Sequence, residues 1–268
     1  GIYKTTNLDS GTGSTWKRLP APAGTRGHPG NINVLKDGSV VVTYSAGRNS
    51  SGEFVAGSGV FYSTNGGNNW NKRSSSAMNY WTKDLIIDPH DKSQNTWYAC
   101  VFSHWGATNK NSGGLYKTTN RGQSWKRVFT VQRAESLTIS PSNKNIAWLT
   151  TENSGLWKSE NLSSSKPVFK LVENYPFKHP TRVFYHPTSG EIWITSFGGG
   201  LYSSSTSGGN LEAPSGLSSK IKSKRIVFTW DDNSSNENGF TLEMKAPGQK
   251  WQIVKQINKN KEKAGIKK

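Results

Sequence analysis

Three carboxylate residues, Asp84, Glu135 and Glu152, recur in this chain beside short β-rich runs, with aromatic and basic residues close by in sequence. Two carboxyl groups facing each other across a glycosidic bond can hydrolyse it, at about 5.5 Å apart for retention and about 6.5–9.5 Å for inversion. Indole and phenyl rings stack on the apolar faces of sugars, and carboxylates and guanidinium groups bond their hydroxyls. On this chemistry Asp84 and Glu135 are the candidate catalytic carboxyls, and Trp81, His104, Trp105, Glu152, Arg182 and Phe197 are candidate substrate contacts. Glu53 is a further acidic residue of the same kind. The same set could bind a glycan without cleaving it. A third reading is a lyase on an acidic polysaccharide, for which His28 and His179 lie near Arg26 and Arg182. Neither a metal nor a cofactor is expected.

The elements that must position these residues are repeated. Gly59-Val60-Phe61-Tyr62-Ser63-Thr64-Asn65 runs on to Trp70, and Gly114-Leu115-Tyr116-Lys117-Thr118-Thr119-Asn120 runs on to Trp125. Gly1-Ile2-Tyr3-Lys4-Thr5-Thr6-Asn7 through Trp16 is a stretched copy, and Gly155-Leu156-Trp157-Lys158-Ser159 opens a drifted one. Ahead of each later motif stand two further strand-like runs, such as Asp84–Asp88 with Thr96–Val101, or Ser136–Ser140 with Ile146–Thr150. These runs are β-branched and aromatic and are bounded by Pro, Gly, Asp and Asn. Four antiparallel strands recurring at this period predict propeller blades. The fold class is therefore all-β: a partial β-propeller of four-stranded antiparallel blades, followed by an incomplete β-sandwich module. The loop leading into strand one and the loop between strands two and three share one face of a blade. The candidate residues are expected on those loops.

The turn between strands three and four resembles the Asp box of BNR-repeat propellers. Ser63, Asn65, Gly67 and Trp70 fill its pattern, as do Thr118, Asn120, Gly122 and Trp125, with Asn in place of Asp. Either side chain can accept bonds from backbone N–H groups. Trp70 and Trp125 are expected to be buried beside their turns. The resemblance extends to sortilin-like propellers and to the xyloglucanase-like glycosidase superfamily, and covers residues 1 to about 205. It implies a polysaccharide-directed protein, xyloglucanase-like glycoside hydrolysis first, with a non-catalytic adhesion propeller or a lyase as alternatives. In the xyloglucan-hydrolysing family two propellers form a cleft and each contributes one catalytic Asp.

Residues 1–205 are expected to be the C-terminal part of the propeller, because four blades and a fraction fall short of the usual ring of about six to eight. The missing N-terminal blades of the same protein are then its first partner. Residues 206–212 read as a Ser/Gly linker. Residues 213–268 resemble a truncated bacterial fibronectin type III domain, carried by Phe228-Thr229-Trp230-Asp231-Asp232-Asn233 and Gly239-Phe240, with Trp230 as its core residue. The lysine-rich end from Asn258 shows no strand pattern.

Composition agrees with a β protein of short strands: 32% hydrophobic residues, yet 11 Trp. The single Cys100 reads as a small buried hydrophobe. No apolar run is long enough for a membrane helix. A secreted or cell-surface location is expected. The net charge of +17 includes basic dipeptides Lys17-Arg18, Lys72-Arg73 and Lys126-Arg127, read as equivalent positions on outer strands. No nucleic-acid recognition motif accompanies them, so polysaccharide rather than nucleic acid is the expected partner.

Overall fold

The computed structural model of the chain describes residues 1–26, 28–52, 54–55, 57–78, 80–103, 111–187, 189–204, 213–234 and 239–267. The chain divides into two units, Gly1–Ser203 and Ser204–Lys268. The stretch expected as a linker, 206–212, lies outside the described residues.

The first unit is a series of antiparallel sheets. An opening half-blade pairs β1 (Tyr3–Lys4) with β2 (Lys17–Arg18). Blade one is β3 (Pro29–Val34), β4 (Val40–Tyr44), β7 (Gly59–Ser63) and β8 (Asn71–Lys72), with a small hairpin, β5 (Gly47–Arg48) and β6 (Phe54–Val55), between its second and third strands. Blade two is β9 (Trp81–Ile87), β10 (Trp97–Phe102), β11 (Gly114–Thr118) and β12 (Lys126–Phe129). Blade three is β13 (Ala134–Ile139), β14 (Ala147–Thr151), β15 (Leu156–Ser159) and β16 (Phe169–Leu171). A fourth, three-stranded blade holds β17 (Pro180–Tyr185), β18 (Ile192–Ser196) and β19 (Gly200–Ser204).

The blades stack face to face, which explains why the second strands inside the stack, β4, β10 and β14, are buried almost throughout, whereas β18 of the fourth blade begins with buried and exposed residues in alternation. Every residue of β10 is buried. Trp97, Ala99 and Val101 pack with Val41, Val60 and Leu85 in the layer against blade one, while Tyr98 and Cys100 join Leu137 and Leu149 in the layer against blade three. Ile2 and Leu19 of the half-blade cover Val42, Tyr44 and Phe61, and Leu156 with Tyr175 meets Val183, Ile192 and Ile194 of the fourth blade. Burial of these side chains is worth about 1.5–3 kcal/mol each before entropy is counted. At the two ends of the stack apolar side chains remain open: Ile32 and Val34 beyond the half-blade, Phe184, Trp193 and Leu201 on the fourth blade.

One turn recurs between strands three and four. Ser63 Oγ accepts from Asn65 N and Gly67 N and donates to Asn65 Oδ1, which also accepts from Asn69 N at 2.9 Å. Thr118 and Asn120 repeat this with Gly122 N and Ser124 N. Thr5 with Asn7 closes on Thr15 N, and Ser159 with Asn161 closes on Val168 N. Gly67 takes φ +89°, and a Cβ there would come within 2.6 Å of Leu19 on the half-blade. Trp70 and Trp125 are half-buried, not buried as expected. They lie at the rim, where the indole edge meets solvent, and each indole N–H donates to the preceding sheet, at Pro20 O and Arg73 O.

The second unit holds β20 (Ser215–Lys222), β21 (Arg225–Asp231) and β24 (Lys263–Lys267) in one sheet, and β22 (Gly239–Met244) with β23 (Gln252–Asn258) in another. Trp230 is buried against Phe240, ring centroids 5.3 Å apart. The lysine-rich end does contain a strand. In β24 Ala264 is buried and Ile266 pairs with Ile226, so two small apolar positions between lysines suffice for an edge strand.

Candidate functional site

The inner strands carry a recurring irregularity. Near the start of β3, β9, β13 and β17 the pairing skips one residue, namely Gly30, Lys83, Glu135 and Thr181. A bulge re-aims the side chains around it. The residues that follow, Asn31, Asp84, Ser136 and Arg182, form one connected group. Asp84 Oδ1 accepts from Asn31 Nδ2 at 2.6 Å and from Leu85 N at 3.0 Å. Asp84 Oδ2 accepts from Ser136 Oγ at 2.6 Å and from Arg182 Nη2 at 2.9 Å. The Asp84 side chain is only 3% exposed, whereas that of Arg182 is 43% exposed. Trp81 and Glu135 thus lie in inner strands, not in the entry loops expected for them, and Asp84 and Arg182, where the strand runs begin in the sequence, lie two or three residues inside the strands. The bulge interrupts the two-residue alternation, so the visible strand pattern begins two or three residues late.

Two of the skipped residues, Lys83 and Glu135, belong to a second group. Lys83 Nζ pairs with Glu135 at 3.1 Å, and the Glu135 side chain is 12% exposed. Lys83 also sits 5.0 Å over the Trp81 ring and 5.4 Å over Phe102, whose ring is 5.3 Å from that of Trp81. Beside them Arg133 Nη1 pairs with Glu152 Oε2 at 2.7 Å. Bridges Ser45–Trp81 and Phe102–Arg133 join the ends of neighbouring blades here. Tyr80 belongs to the same mouth. Burial raises its phenol pKa, Arg48 and Arg133 oppose that, and Glu152 adds to it. Phe197 lies on the fourth blade, highly exposed, its ring 5.3 Å from that of His179. His104, Trp105 and Glu53 lie outside the described residues.

The Cys100 thiol is held far from ionisation. Burial raises its pKa, the nearby charges of Asp84 and Glu135 add to the effect, and Arg182 opposes it. It is packing, not a nucleophile. Among the described residues no group of three or more His, Cys, Asp or Glu could hold a metal ion, and no helix is long and apolar enough to cross a membrane. Asn31 and Ser136 were not singled out from sequence. Aligning the four inner strands by their starts, Gly30-Asn31, Lys83-Asp84, Glu135-Ser136 and Thr181-Arg182, is the signal that finds them. Chemically, the mouth offers three carboxylates, each held by a cation, beside a pair of aromatic rings. That set can bond hydroxyls, and it can move a proton where a carboxylate sheds its partner.

The sheets and their stacking define the class: a β-propeller. No protein-family model matches the chain, and no curated protein matches it. Among solved structures, a GH74 enzyme from Niastella koreensis is similar with a TM-score of 0.52 and 18% identity, over 87% of this chain and 38% of that one. A GH74 xyloglucanase from Xanthomonas campestris is similar with a TM-score of 0.51 and 14% identity, over 94% of this chain and 39% of that one. At such identity the likeness is one of fold. The chain spans well under half the length of either protein.

Proposed function

We propose that this chain is part of an extracellular polysaccharide-directed propeller protein, xyloglucanase-like in activity, with its site at the channel mouth. One observation carries the reading. Carboxylates paired with cations lie at the starts of inner strands in successive blades and, at Glu152, just past the end of β14, next to the Trp81–Phe102 ring pair. Sugar hydroxyls suit such a surface, because each can accept from a cation and donate to a carboxylate. Glu135 is our acid–base candidate, since only its Lys83 contact has to open. Asp84 can take part only if Arg182 leaves it for substrate, because both its oxygens are engaged. Trp81, Glu152, Arg182 and Phe197 would contact sugar, and we keep His104 and Trp105, from sequence alone, as further contacts. We also read the clamped turns as Asn variants of the BNR/Asp box, and the second unit as a fibronectin type III-like spacer.

A second reading has its own support. Each described carboxylate of the mouth already holds a cation, which suits a surface that binds glycan without cleaving it. Calorimetry with xyloglucan and other neutral glucans, together with reducing-sugar release, on the full-length protein separates the two. Hydrolysis lost in Glu135→Gln with binding retained supports the enzyme. Binding with no release in the parent supports the module. No glycan bound by the parent overturns both.

A further inference from the structure

The outer rim carries a charge pattern that the fold does not require. On strands three and four of three sheets, a lysine stands directly opposite a lysine: Lys4 with Lys17, Lys117 with Lys126, and Lys158 with Lys170. All three pairs occupy the same repeat position, one residue beyond the aromatic Tyr3, Tyr116 or Trp157. Like charges directly opposite destabilise a sheet. Blade one has Tyr62 opposite Asn71 at that position, so a neutral pair serves the architecture equally well.

The register also sets a second basic position on strand four, one residue further along. Lys72 lies opposite Phe61, as Arg18 lies opposite Tyr3 and Arg127 opposite Tyr116. Lys17-Arg18 and Lys126-Arg127 are therefore equivalent, as expected, and Lys72-Arg73 is offset from them by one residue. Arg73 and Arg127 are engaged within the fold: Arg73 lies 5.2 Å over the Tyr62 ring, and Arg127 donates to Asn111 O and Gly113 O. Lys4, Lys17, Lys126 and Lys170 are exposed. Of the six, only Lys158 makes an ion pair among the described residues, with Glu160 at 2.9 Å. Lys117 rests 5.4 Å over Tyr98, and its pKa is lowered by burial against the opposing pull of Asp88.

We propose that this rim binds an anionic polysaccharide, with the lysine pairs of successive blades engaging successive carboxylates or sulfates. The site is distinct from the channel mouth and does not depend on any activity there. Two features favour such a polymer over a nucleic acid. The rings beside the lysines of blades two and three are covered, Tyr98 and Tyr116 fully and Trp148 and Trp157 in part, so a surface for stacking bases is confined to Tyr3 and Trp16 of the half-blade and does not run along the rim. The available cations are mostly ammonium point charges, which tolerate variable spacing, and exposed Arg18 of the half-blade is the one guanidinium of the three basic dipeptides not engaged as Arg73 and Arg127 are.

The test uses the full chain with polygalacturonate, xyloglucan and an oligothymidylate, titrated over a salt series. Lys117→Gln/Lys126→Gln and Lys4→Gln/Lys17→Gln leave the mouth untouched. Each double variant is expected to bind polygalacturonate about fivefold more weakly, with a shallower salt dependence. Its thermal midpoint should equal or exceed the parent's, because repulsion is relieved, and its response to xyloglucan should match the parent's. No binding of polygalacturonate by the parent, unchanged affinity in both variants, or tighter binding of oligothymidylate that displaces polygalacturonate would each overturn the proposal.

Discussion

Arg182 of the fourth blade donates to Asp84 of the second, Nη2 to Oδ2 at 2.9 Å, past Ser136 of the blade between, which donates to the same oxygen. Asn31 of the first blade donates to the other oxygen. One carboxylate is thus bonded to the inner strands of all three other blades. Its reach depends on the shared bulge, which sets the residue after each skipped position at the same level of the stack.

The two partners of this link should not be equally costly to remove. Asp84→Ala leaves donors from three blades without their acceptor and is expected to cost about 2–4 kcal/mol. Arg182→Ala is expected to cost about 1–2 kcal/mol, because its guanidinium is partly in water and Asp84 keeps three other donors. Urea unfolding of both variants decides this. An Arg182→Ala loss as large as that of Asp84→Ala would make the arginine, not the carboxylate, the anchor.

The clamped turn makes a prediction about residue type. Asn65 Oδ1 accepts from Ser63 Oγ and Asn69 N. Asn65→Asp keeps both bonds and should leave the unfolding midpoint unchanged or higher. Asn65→Ala removes both and should cost about 1–2 kcal/mol. Equal stability in the two variants would mean that the glycines alone shape the turn.

Acid should weaken the unit partly through Asp91. Burial acts to raise its pKa, but hydrogen bonds from Ser93 and Thr96 outweigh that and hold it at about 2. A carboxyl depressed below its unfolded value stabilises the fold at pH above about 4, and that contribution is lost as pH falls towards about 2. The parent should therefore lose more stability than Asp91→Ala between pH 5 and pH 2, as read by denaturation at both values. Parallel losses would show that this turn does not govern acid sensitivity.

At the mouth, Glu135→Gln should abolish glycan hydrolysis with affinity changed by less than about threefold, if Glu135 handles the proton. Trp81→Ala should weaken binding about tenfold or more, since it removes the ring and frees Lys83. Calorimetry and product release on the same samples read both. A Glu135→Gln enzyme as active as the parent would remove Glu135 from the chemistry.

The propeller was legible in the sequence because its blades repeat their turn chemistry and because second strands such as β10 are buried on both sides. Strand starts were less legible. At Lys83, Glu135 and Thr181 the extra residue breaks the alternation, so Trp81 and Glu135 read as loop residues although they are strand residues. The carboxylates and Arg182 stood out by type. Their partners Asn31 and Ser136 did not, because a small polar residue at a strand start has many uses and only the common level of the four bulges brings them together. The half-burial of Trp70 and Trp125 was hidden for a different reason: how much of a ring a neighbouring sheet covers is a property of the stack.

The clamp that closes each outer turn joins partners four residues apart in two copies, but seven apart from Asn161 to Val168 and eight apart from Asn7 to Thr15. The same pair of hydrogen-bonding residues therefore seals loops of different size. The half-blade and blades one to three each own a port on the circumference where extra residues can be taken in without disturbing the layers inside. Insertion of a short epitope or label between Asn7 and Thr15 should be absorbed there, with the layers inside left as they are.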